Sequence, residues 1–155
     1  MNFEFIFPGK TREKYLATGI DDFCSRLKHH ARIDIKIIKE TKCVDPKDEK
    51  AKEAEGEAIL KHVSKGSVLV ALDLTGQQMS SEGLAKQLAE WQDGGCRKIS
   101  FVIGGPDGLP ANVVSRADKI LSLSKMTLTH EMARLLLMEQ LYRAFTILAG
   151  TGYHK

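Results

Sequence analysis

The chain has 155 residues, of which 43% are hydrophobic and 28% are charged, and its formal net charge is +3. This length and composition predict one folded domain over residues 1–155 and exclude a disordered or fibrous chain. The apolar runs are far shorter than the ~20 residues of a membrane-spanning helix, and the N-terminus lacks a secretory signal pattern. We therefore expect a cytoplasmic protein with no membrane partner.

The first half of the chain predicts alternating strands and helices. Phenylalanine at every second position predicts a strand over Asn2–Phe7, and Thr11 is placed to cap the helix that follows. Isoleucines alternate with polar residues over 33–37, which predicts a strand toward a sheet edge. An Asp-Pro pair at 45–46 predicts the start of a charged helix that ends near Val63.

The second half predicts strands that are buried on both faces. Val68–Leu72 and Ile99–Ile103 are apolar without alternation, which is typical of a parallel sheet covered by helices. The other predicted elements are a helix from Ser80 or Ser81 to Asp93, a short helix from Pro110 to about Ala117, and a strand over Ile120–Leu123. The order of elements therefore predicts an α/β fold with a mostly parallel sheet flanked by helices.

The last predicted helix, from about Glu131 to Ala149, is apolar over most of its circumference. One face can pack on the sheet, but the remainder needs a second neighbour. We infer a homodimer. The alternative is that residues 42–63 fold over this helix, and a monomeric mass in solution would favour it.

The cysteines and histidines form no metal-binding pattern. Cys24, Cys43 and Cys96 are widely separated, with no Cys-x-x-Cys pair and no histidine at zinc-ligand spacing. His29 and His30 are adjacent, so on a helix they point about 100° apart. We predict no metal site and no disulfide framework.

A turn rich in glycine follows the strand that ends at Ile103. Gly104, Gly105 and Gly108 lack a Cβ atom, so another group can come close to this backbone. Their spacing matches neither a nucleotide phosphate loop nor a dinucleotide fingerprint, and no Gly-x-Ser-x-Gly nucleophile motif is present. A plain tight turn remains the alternative interpretation.

Three loops are expected to meet at the carboxyl ends of the buried strands. They comprise residues 72–76, 104–109 and 122–129. Ligands of open α/β sheets bind at such ends, and apolar side chains with free backbone groups suit an adenosine.

Six motifs, taken together, resemble the ribosomal large-subunit methyltransferase H family over essentially the whole chain. They are Leu72-Asp73-Leu74-x-Gly76, Ser81-Glu82-Gly83-Leu84-Ala85, Phe101-Val102-Ile103-Gly104-Gly105, Leu121-Ser122-Leu123-Ser124-Lys125-Met126-Thr127, Glu139-Gln140-Leu141-Tyr142-Arg143-Ala144 and Tyr153-His154-Lys155. The resemblance implies a SPOUT-type fold with a C-terminal trefoil knot and a homodimer. It also implies methylation of nitrogen-3 of a pseudouridine in 23S ribosomal RNA, with S-adenosylmethionine as methyl donor.

The resemblance also implies the residues of the site. The positions implied to bind S-adenosylmethionine are Leu72, Gly104, Gly105, Leu123, Ser124, Lys125, Met126, Thr127 and Leu128. The implied catalytic residues are Arg143, Tyr153 and His154. Arg143 would stabilise the anion of the base, His154 would transfer a proton because its ordinary pKa is ~6.5, and Tyr153 would stack on the base.

Some alternatives remain open at this point. His130 is a rival base, although the positive end of the helix dipole disfavours its cation. A cluster of cations is a candidate RNA contact, although surface lysines are usually only solvated. Its members are Lys10, Arg12, Lys14, Lys28 and Arg32. The alternative function is a non-enzymatic α/β module that binds a nucleotide or RNA at the ribosome.

Overall fold

A computed structural model describes residues 1–40 and 48–154, without the side chain of His154. In these ranges five strands alternate with five helices, and a short 3-10 helix follows. The elements are β1 (Asn2–Pro8), α1 (Lys14–Leu27), β2 (Arg32–Ile38), α2 (Glu49–Leu60), β3 (Val68–Gln78), α3 (Ser81–Asp93), β4 (Lys98–Ile103), α4 (Ala111–Arg116), β5 (Lys119–Ser122), α5 (His130–Leu148) and the 3-10 helix Gly152–His154.

The strands form one sheet in the order β2-β1-β4-β3-β5, and every neighbouring pair is parallel. This confirms the predicted α/β fold with a parallel sheet and the position of β2 at an edge. Among the described helices, none has the length and apolar character that crossing a membrane requires.

The two faces of the sheet are covered by different helices, because side chains alternate along each strand. Phe3, Phe5 and Phe7 of β1 pack with buried residues of α1, α3 and α5. Ile6 points to the other face and packs with Ile59 of α2 and a residue of α4. The described residues of α2 therefore lie on the face opposite α5 and do not cover it.

The start of α1 differs from the prediction. Glu13, not Thr11, occupies the N-cap position, and its side chain makes no capping hydrogen bond. Thr11 Oγ1 instead accepts a hydrogen bond of 3.1 Å from Nη1 of the buried Arg134. The start of α2 predicted at residues 45–46 lies outside the described residues, and Asp48 caps the described helix by accepting from the amide of Ala51.

The end of β3 passes close to β5. Leu72 pairs with Leu121, and after a register shift Gln77 pairs with Leu121 again. A Cβ atom on Gly76 would lie only 2.6 Å from the carbonyl carbon of Leu121, so this position needs glycine. The trefoil knot itself stays a prediction.

Candidate functional site

The register of the sheet brings together the three predicted loops. Leu72 on β3 pairs with Ile103 on one side and with Leu121 on the other. Gly104 follows Ile103 directly, and Leu123 lies two residues after Leu121. Residues 72–76, which were predicted as a loop, instead lie within β3, where its register against β5 shifts. The loops after β4 and β5 leave the carboxyl edge beside them. We call residues 72–76 of β3 and the loops 104–109 and 123–128 the carboxyl-edge loops.

The glycine turn is held by its own backbone. The amide of Gly108 donates to the carbonyl oxygen of Gly105 at 3.1 Å, which closes a turn with Pro106 and Asp107 at its corner. A Cβ atom on Gly104 would lie 2.4 Å from both the carbonyl carbon and the oxygen of Gly108. The close approach expected at Gly104 is therefore present, but the approaching group belongs to the turn itself.

Gly105 is different, because the space beside it is open. A Cβ atom there would meet only Glu40 Oε1, at the ordinary contact distance of 3.6 Å. The backbone of Gly105 is also half-buried, whereas that of Gly104 is buried. Gly105 thus has open space where a side chain would lie, and the binding role predicted for Gly104 stays a prediction.

The loop after β5 is ordered by two short-range hydrogen bonds. Ser122 Oγ donates to the carbonyl oxygen of Ser124 at 3.0 Å, and Ser124 Oγ accepts from the amide of Met126 at 2.9 Å. Leu123 packs against the main core, whereas the side chain of Met126 is 76% exposed. Leu74, in the neighbouring part of β3, is 61% exposed. The carboxyl-edge loops thus present apolar surface that nothing in the described chain covers.

The predicted catalytic residues Arg143 and Tyr153 lie together near the C-terminal end of α5. Glu139 Oε1 accepts from Nη2 of Arg143 at 2.7 Å and from its Nε at 3.0 Å. The guanidinium carbon of Arg143 lies 4.9 Å from the centre of the Tyr153 ring, and the Tyr153 hydroxyl donates to Glu139 Oε1 at 3.4 Å. We call Glu139, Arg143 and Tyr153 the tail cluster. His154 follows in the 3-10 helix, and its side chain lies outside the described residues.

Charges within the tail cluster fix its protonation states near neutral pH. The hydrogen bond to Glu139 raises the pKa of Arg143 above its already high ordinary value. Burial raises the pKa of Tyr153, and the charge of Glu139 adds to the effect. Arg143 is therefore a permanent cation here, and Tyr153 is a neutral phenol.

Glu139 is the first residue of the motif that contains Arg143, but the sequence predicted no role for it. Its Oε2 accepts from Nε2 of Gln140 at 2.6 Å, and Gln140 Oε1 accepts from the Ser81 hydroxyl of α3 at 2.6 Å. The spacing of four residues between Glu139 and Arg143 is the signal that could have found it, because such pairs meet on one helix face.

Within one chain, Arg143 of the tail cluster lies far along α5 from the loop that follows β5. Arg134, near the start of α5, donates to the carbonyl oxygen of Pro8 at the carboxyl end of β1. Phe145 packs on Phe3 at the amino end of β1, with ring centres 5.7 Å apart. At 1.5 Å per residue, Arg143 lies about 20 Å along the helix from His130. The structure therefore groups the predicted site residues into two sets and does not bring these sets together in one chain.

A third polar group ties the start of α5 to the loop after β1. Arg134 is fully buried, and its guanidinium donates to the carbonyl oxygens of Pro8 and Gly9 at 2.7 and 3.2 Å. Glu131 accepts from the backbone amides of Arg12 and Glu13 at 3.0 and 3.1 Å. Neither Arg134 nor Glu131 has a role that the sequence predicts, because their partners lie more than 110 positions away in the chain.

The side chain of His130 lies beside this polar group. Burial lowers its pKa, and the positive charge of Arg134 lowers it further. His130 is therefore neutral at neutral pH.

Comparison with known proteins identifies the family. A family model described as "Predicted SPOUT methyltransferase" matches residues 1–154. The chain belongs to the SPOUT methyltransferases. It is 43% identical to the ribosomal RNA large subunit methyltransferase H of Desulfotalea psychrophila over 159 aligned positions, which cover 100% of both chains. It is also 43% identical to the enzyme of the same name from Halothermothrix orenii over 160 positions, again covering 100% of both.

Solved structures of other proteins share the fold. A probable methylase family protein from Haemophilus influenzae superimposes with a TM-score of 0.55 at 16% identity, over 99% of this chain and 70% of that chain. TrmJ from Z. mobilis superimposes with a TM-score of 0.55 at 14% identity, over 94% of this chain and 70% of that one. At these identities the likeness shows the fold alone.

The described residues of this SPOUT methyltransferase fit an adenosine-bearing donor better than a metal ion. Residues 1–40 and 48–154 contain no group of three histidine, cysteine or carboxylate side chains that could hold a metal ion. The carboxyl-edge loops instead combine half-buried leucines, an exposed methionine and the open backbone of Gly105. Apolar walls with a few backbone polar groups are typical of a small-molecule site.

Proposed function

We propose that this chain is a single SPOUT-like methyltransferase domain, residues 1–155. It transfers a methyl group from S-adenosylmethionine to nitrogen-3 of a pseudouridine in 23S ribosomal RNA. The observation that supports this most strongly is the convergence of Leu72, Gly105 and residues 123–128 at one sheet edge. The second support is that the relatives of this chain are named for methylation of large-subunit ribosomal RNA. A ribosomal substrate places the protein in the cytoplasm.

The carboxyl-edge loops are the proposed donor site. Leu72, Leu123 and Leu128 are half-buried and supply apolar walls for the adenosine. The backbone of Gly104 and Gly105 lines the site between them, and the open space beside Gly105 allows close contact. Ser124, Lys125, Met126 and Thr127 complete the loop that leads into α5. When bound, the donor supplies an electrophilic methyl group on a sulfonium.

The tail cluster is the proposed acceptor site. Nitrogen-3 of the base must lose its proton before or during attack, so the enzyme needs a cation and a proton acceptor. Arg143 is a permanent cation that stabilises the developing anion. Glu139 accepts two hydrogen bonds from its guanidinium and so holds the cation in position. Tyr153 stacks on the base, and His154 takes the proton.

A homodimer resolves the separation of these two sets of residues. The donor loops and Arg143 lie at opposite ends of α5, so one chain alone cannot place its own tail at its own donor. In a two-fold dimer, the tail cluster of one protomer meets the carboxyl-edge loops of its partner. The trefoil knot belongs to the same proposal, and the close passage of Gly76 over Leu121 is compatible with it.

Mixing two inactive variants tests the shared site. Gly105→Trp fills the open space at the donor loop, and Arg143→Ala removes the cation at the tail. In a mixed dimer, one shared site carries both substitutions and the other shared site carries neither. The mixture should therefore regain activity. If the mixture stays inactive although mass spectrometry shows mixed dimers, the shared site is wrong.

Calorimetry with S-adenosylmethionine is the most informative test of the function. We expect stoichiometric binding, followed by transfer of tritiated methyl groups to ribosomes that lack the modification. Deletion of Tyr153 to Lys155 should leave donor affinity unchanged and abolish transfer. A non-enzymatic module that binds a nucleotide or RNA has no need of the donor, so absence of binding would favour that alternative.

The pH dependence of transfer separates the two candidate bases. The pKa of His130 is lowered by burial and by Arg134, so its titration would appear below the ordinary range near 6.5. If His154 takes the proton, His154→Ala removes the acid limb of the kcat profile, whereas His130→Ala retains it. The reverse pattern would assign the proton transfer to His130.

A further inference from the structure

We propose that the basic surface at the amino edge of the sheet binds the phosphate backbone of the RNA that carries the target base. This amino-edge surface consists of Lys28, His29, His30, Arg32 and Arg97. The inference rests on the proposed function, because it takes ribosomal RNA as the partner.

The start of the sheet sets the spacing of these cations. Asn2 of β1 pairs with Arg32 on β2, and its amide donates to the carbonyl oxygen of Arg97 at 2.9 Å. Arg32 and Arg97 therefore flank β1 on its two sides, about 10 Å apart at ordinary strand spacing. Lys28 and the two histidines lie beside Arg32 around a shallow open depression that Met1 also lines.

The cations of this surface have no carboxylate partner within the part of the chain that the structure describes. Lys28, Arg32 and Arg97 are exposed, and within residues 1–40 and 48–154 none of them forms an ion pair. Arg26, by contrast, pairs with Asp22 at 2.9 Å, and Arg12 pairs with Glu40 at 3.6 Å. Cations without such partners attract a polyanion and release its counterions when they bind it.

A path of rings connects this surface to the tail cluster. The ring of His30 stacks on Phe145, with centres 5.2 Å apart and an angle of 8° between the planes. Tyr142 lies 5.9 Å from His30 and 4.8 Å from Tyr153, measured between ring centres. Basic residues beside aromatic rings suit RNA, because phosphates pair with the cations while unstacked bases stack on the rings.

The structure divides the cation cluster noted in the sequence into two groups. Lys28 and Arg32 lie at the amino edge, whereas Lys10 and Lys14 lie at the other end of α1. This helix has 14 residues, so the two groups are about 20 Å apart. Within one chain, only the amino-edge group adjoins the tail cluster, where the base is expected to lie. RNA bound to it can reach Arg143 and Tyr153 without crossing the sheet.

Two triple variants with the same change in charge test the proposal. K28Q/R32Q/R97Q removes the amino-edge cations, and K10Q/K14Q/K39Q removes three exposed lysines at the carboxyl edge. Each lowers the formal net charge from +3 to 0. Binding to purified ribosomes that lack the modification is measured by co-sedimentation at several KCl concentrations. Calorimetry gives the donor affinity of each variant.

We expect the amino-edge variant to bind ribosomes at least about tenfold more weakly at 0.1 M salt, with unchanged donor affinity. The slope of log affinity against log salt should fall by about 2, because three phosphate contacts are lost. The carboxyl-edge variant should resemble the wild-type protein. The proposal is overturned if both variants lose affinity equally, if only the carboxyl-edge variant loses it, or if the wild-type protein does not bind ribosomes.

Because this assay measures binding, it is independent of the proposed methyl transfer. A wild-type protein that binds ribosomes through the amino edge but transfers no methyl group would contradict the proposed function alone. A wild-type protein that transfers methyl groups while K28Q/R32Q/R97Q binds normally would contradict this inference alone.

Discussion

Gly104 and Gly108 are in contact across the turn that follows β4. A Cβ atom on Gly104 would lie 2.4 Å from the carbonyl carbon of Gly108, well inside van der Waals contact. Gly108 itself has a φ of +80°, a conformation that other residues rarely adopt. The glycines at both positions are therefore required by the backbone of the turn.

Gly104→Ala should consequently destabilise the fold, although it adds only one methyl group. We expect a loss of about 3 kcal/mol in the free energy of unfolding, because the backbone of Gly108 must move to make room. Gly105→Ala is the matched control and should change stability by less than about 0.5 kcal/mol. Urea denaturation measures both. Equal stability of the two variants would show that the turn relaxes without cost.

The carboxyl group of Glu4 is buried within a hydrogen-bond network on the sheet. Burial by itself raises its pKa, but hydrogen bonds from Lys36, Ser100 and Ser64 outweigh this and lower the pKa from 4.5 to about 2. Lys36 Nζ lies 2.5 Å from Glu4 Oε1, and the Ser100 hydroxyl donates to Oε2 at 2.6 Å.

This depressed pKa makes stability depend on pH. The unfolded chain binds a proton on Glu4 at higher pH than the folded chain does. The stabilisation is therefore complete above about pH 5 and is lost as the pH falls from 4.5 towards 2. The shift corresponds to about 3 kcal/mol. In Glu4→Gln, stability at pH 7 should be lower and its decline over this pH range shallower, whereas the exposed Glu13→Gln should follow the wild-type protein.

The buried guanidinium of Arg134 has backbone carbonyls and the Thr11 hydroxyl as its hydrogen-bond partners. Arg134→Met keeps much of the volume but leaves the carbonyl oxygens of Pro8 and Gly9 without their donor. We expect a loss of about 3 kcal/mol, since hydrogen bonds to a charged group are worth about 1.5–3 kcal/mol each.

Arg26→Met is the control for this substitution, because Arg26 lies at the surface and forms an exposed ion pair with Asp22. Its loss should be below about 1 kcal/mol. Thermal or urea unfolding distinguishes the two variants. If both lose the same stability, the contacts of Arg134 are not what holds the loop after β1.

The sequence predicted the order of elements and the convergence of the donor loops for identifiable reasons. Apolar strands without alternation indicated a parallel sheet, and parallel strands bring their carboxyl ends to the same edge. The glycine turn was recognised, but the atom that approaches Gly104 belongs to Gly108, four residues along the same chain. A sequence pattern does not distinguish such a self-contact from contact with a ligand.

The parts that could not be predicted depend on contacts between distant residues. In the sequence, Arg134 is one charged residue on an apolar helix. It can be fully buried because the carbonyl oxygens of Pro8 and Gly9 accept hydrogen bonds from its guanidinium. The separation of Arg143 from the loop after β5 likewise follows from the direction in which α5 crosses the sheet. Periodicity shows that α5 is a helix and says nothing about this direction.

Glu139 should act as a positioning residue for catalysis. Its Oε1 accepts from two nitrogens of Arg143 and from the hydroxyl of Tyr153, so it fixes both groups relative to each other. Glu139→Gln keeps the shape of the side chain but removes the charge and replaces one acceptor oxygen. We expect kcat to fall at least about tenfold, because Arg143 would no longer be held where the anion develops.

The donor affinity and the melting temperature of Glu139→Gln should stay close to wild-type values, because Glu139 contacts Arg143 and Tyr153, whereas the proposed donor contacts come from the carboxyl-edge loops. Glu90→Gln provides the control, since Glu90 is exposed and its contacts are an ion pair with Lys86 at 3.9 Å and a hydrogen bond from Nε2 of Gln87 at 3.3 Å. Steady-state kinetics with ribosomes as substrate separate kcat from KM. A rise in KM at constant kcat would instead assign Glu139 to RNA binding, and unchanged kinetics would exclude it from both roles.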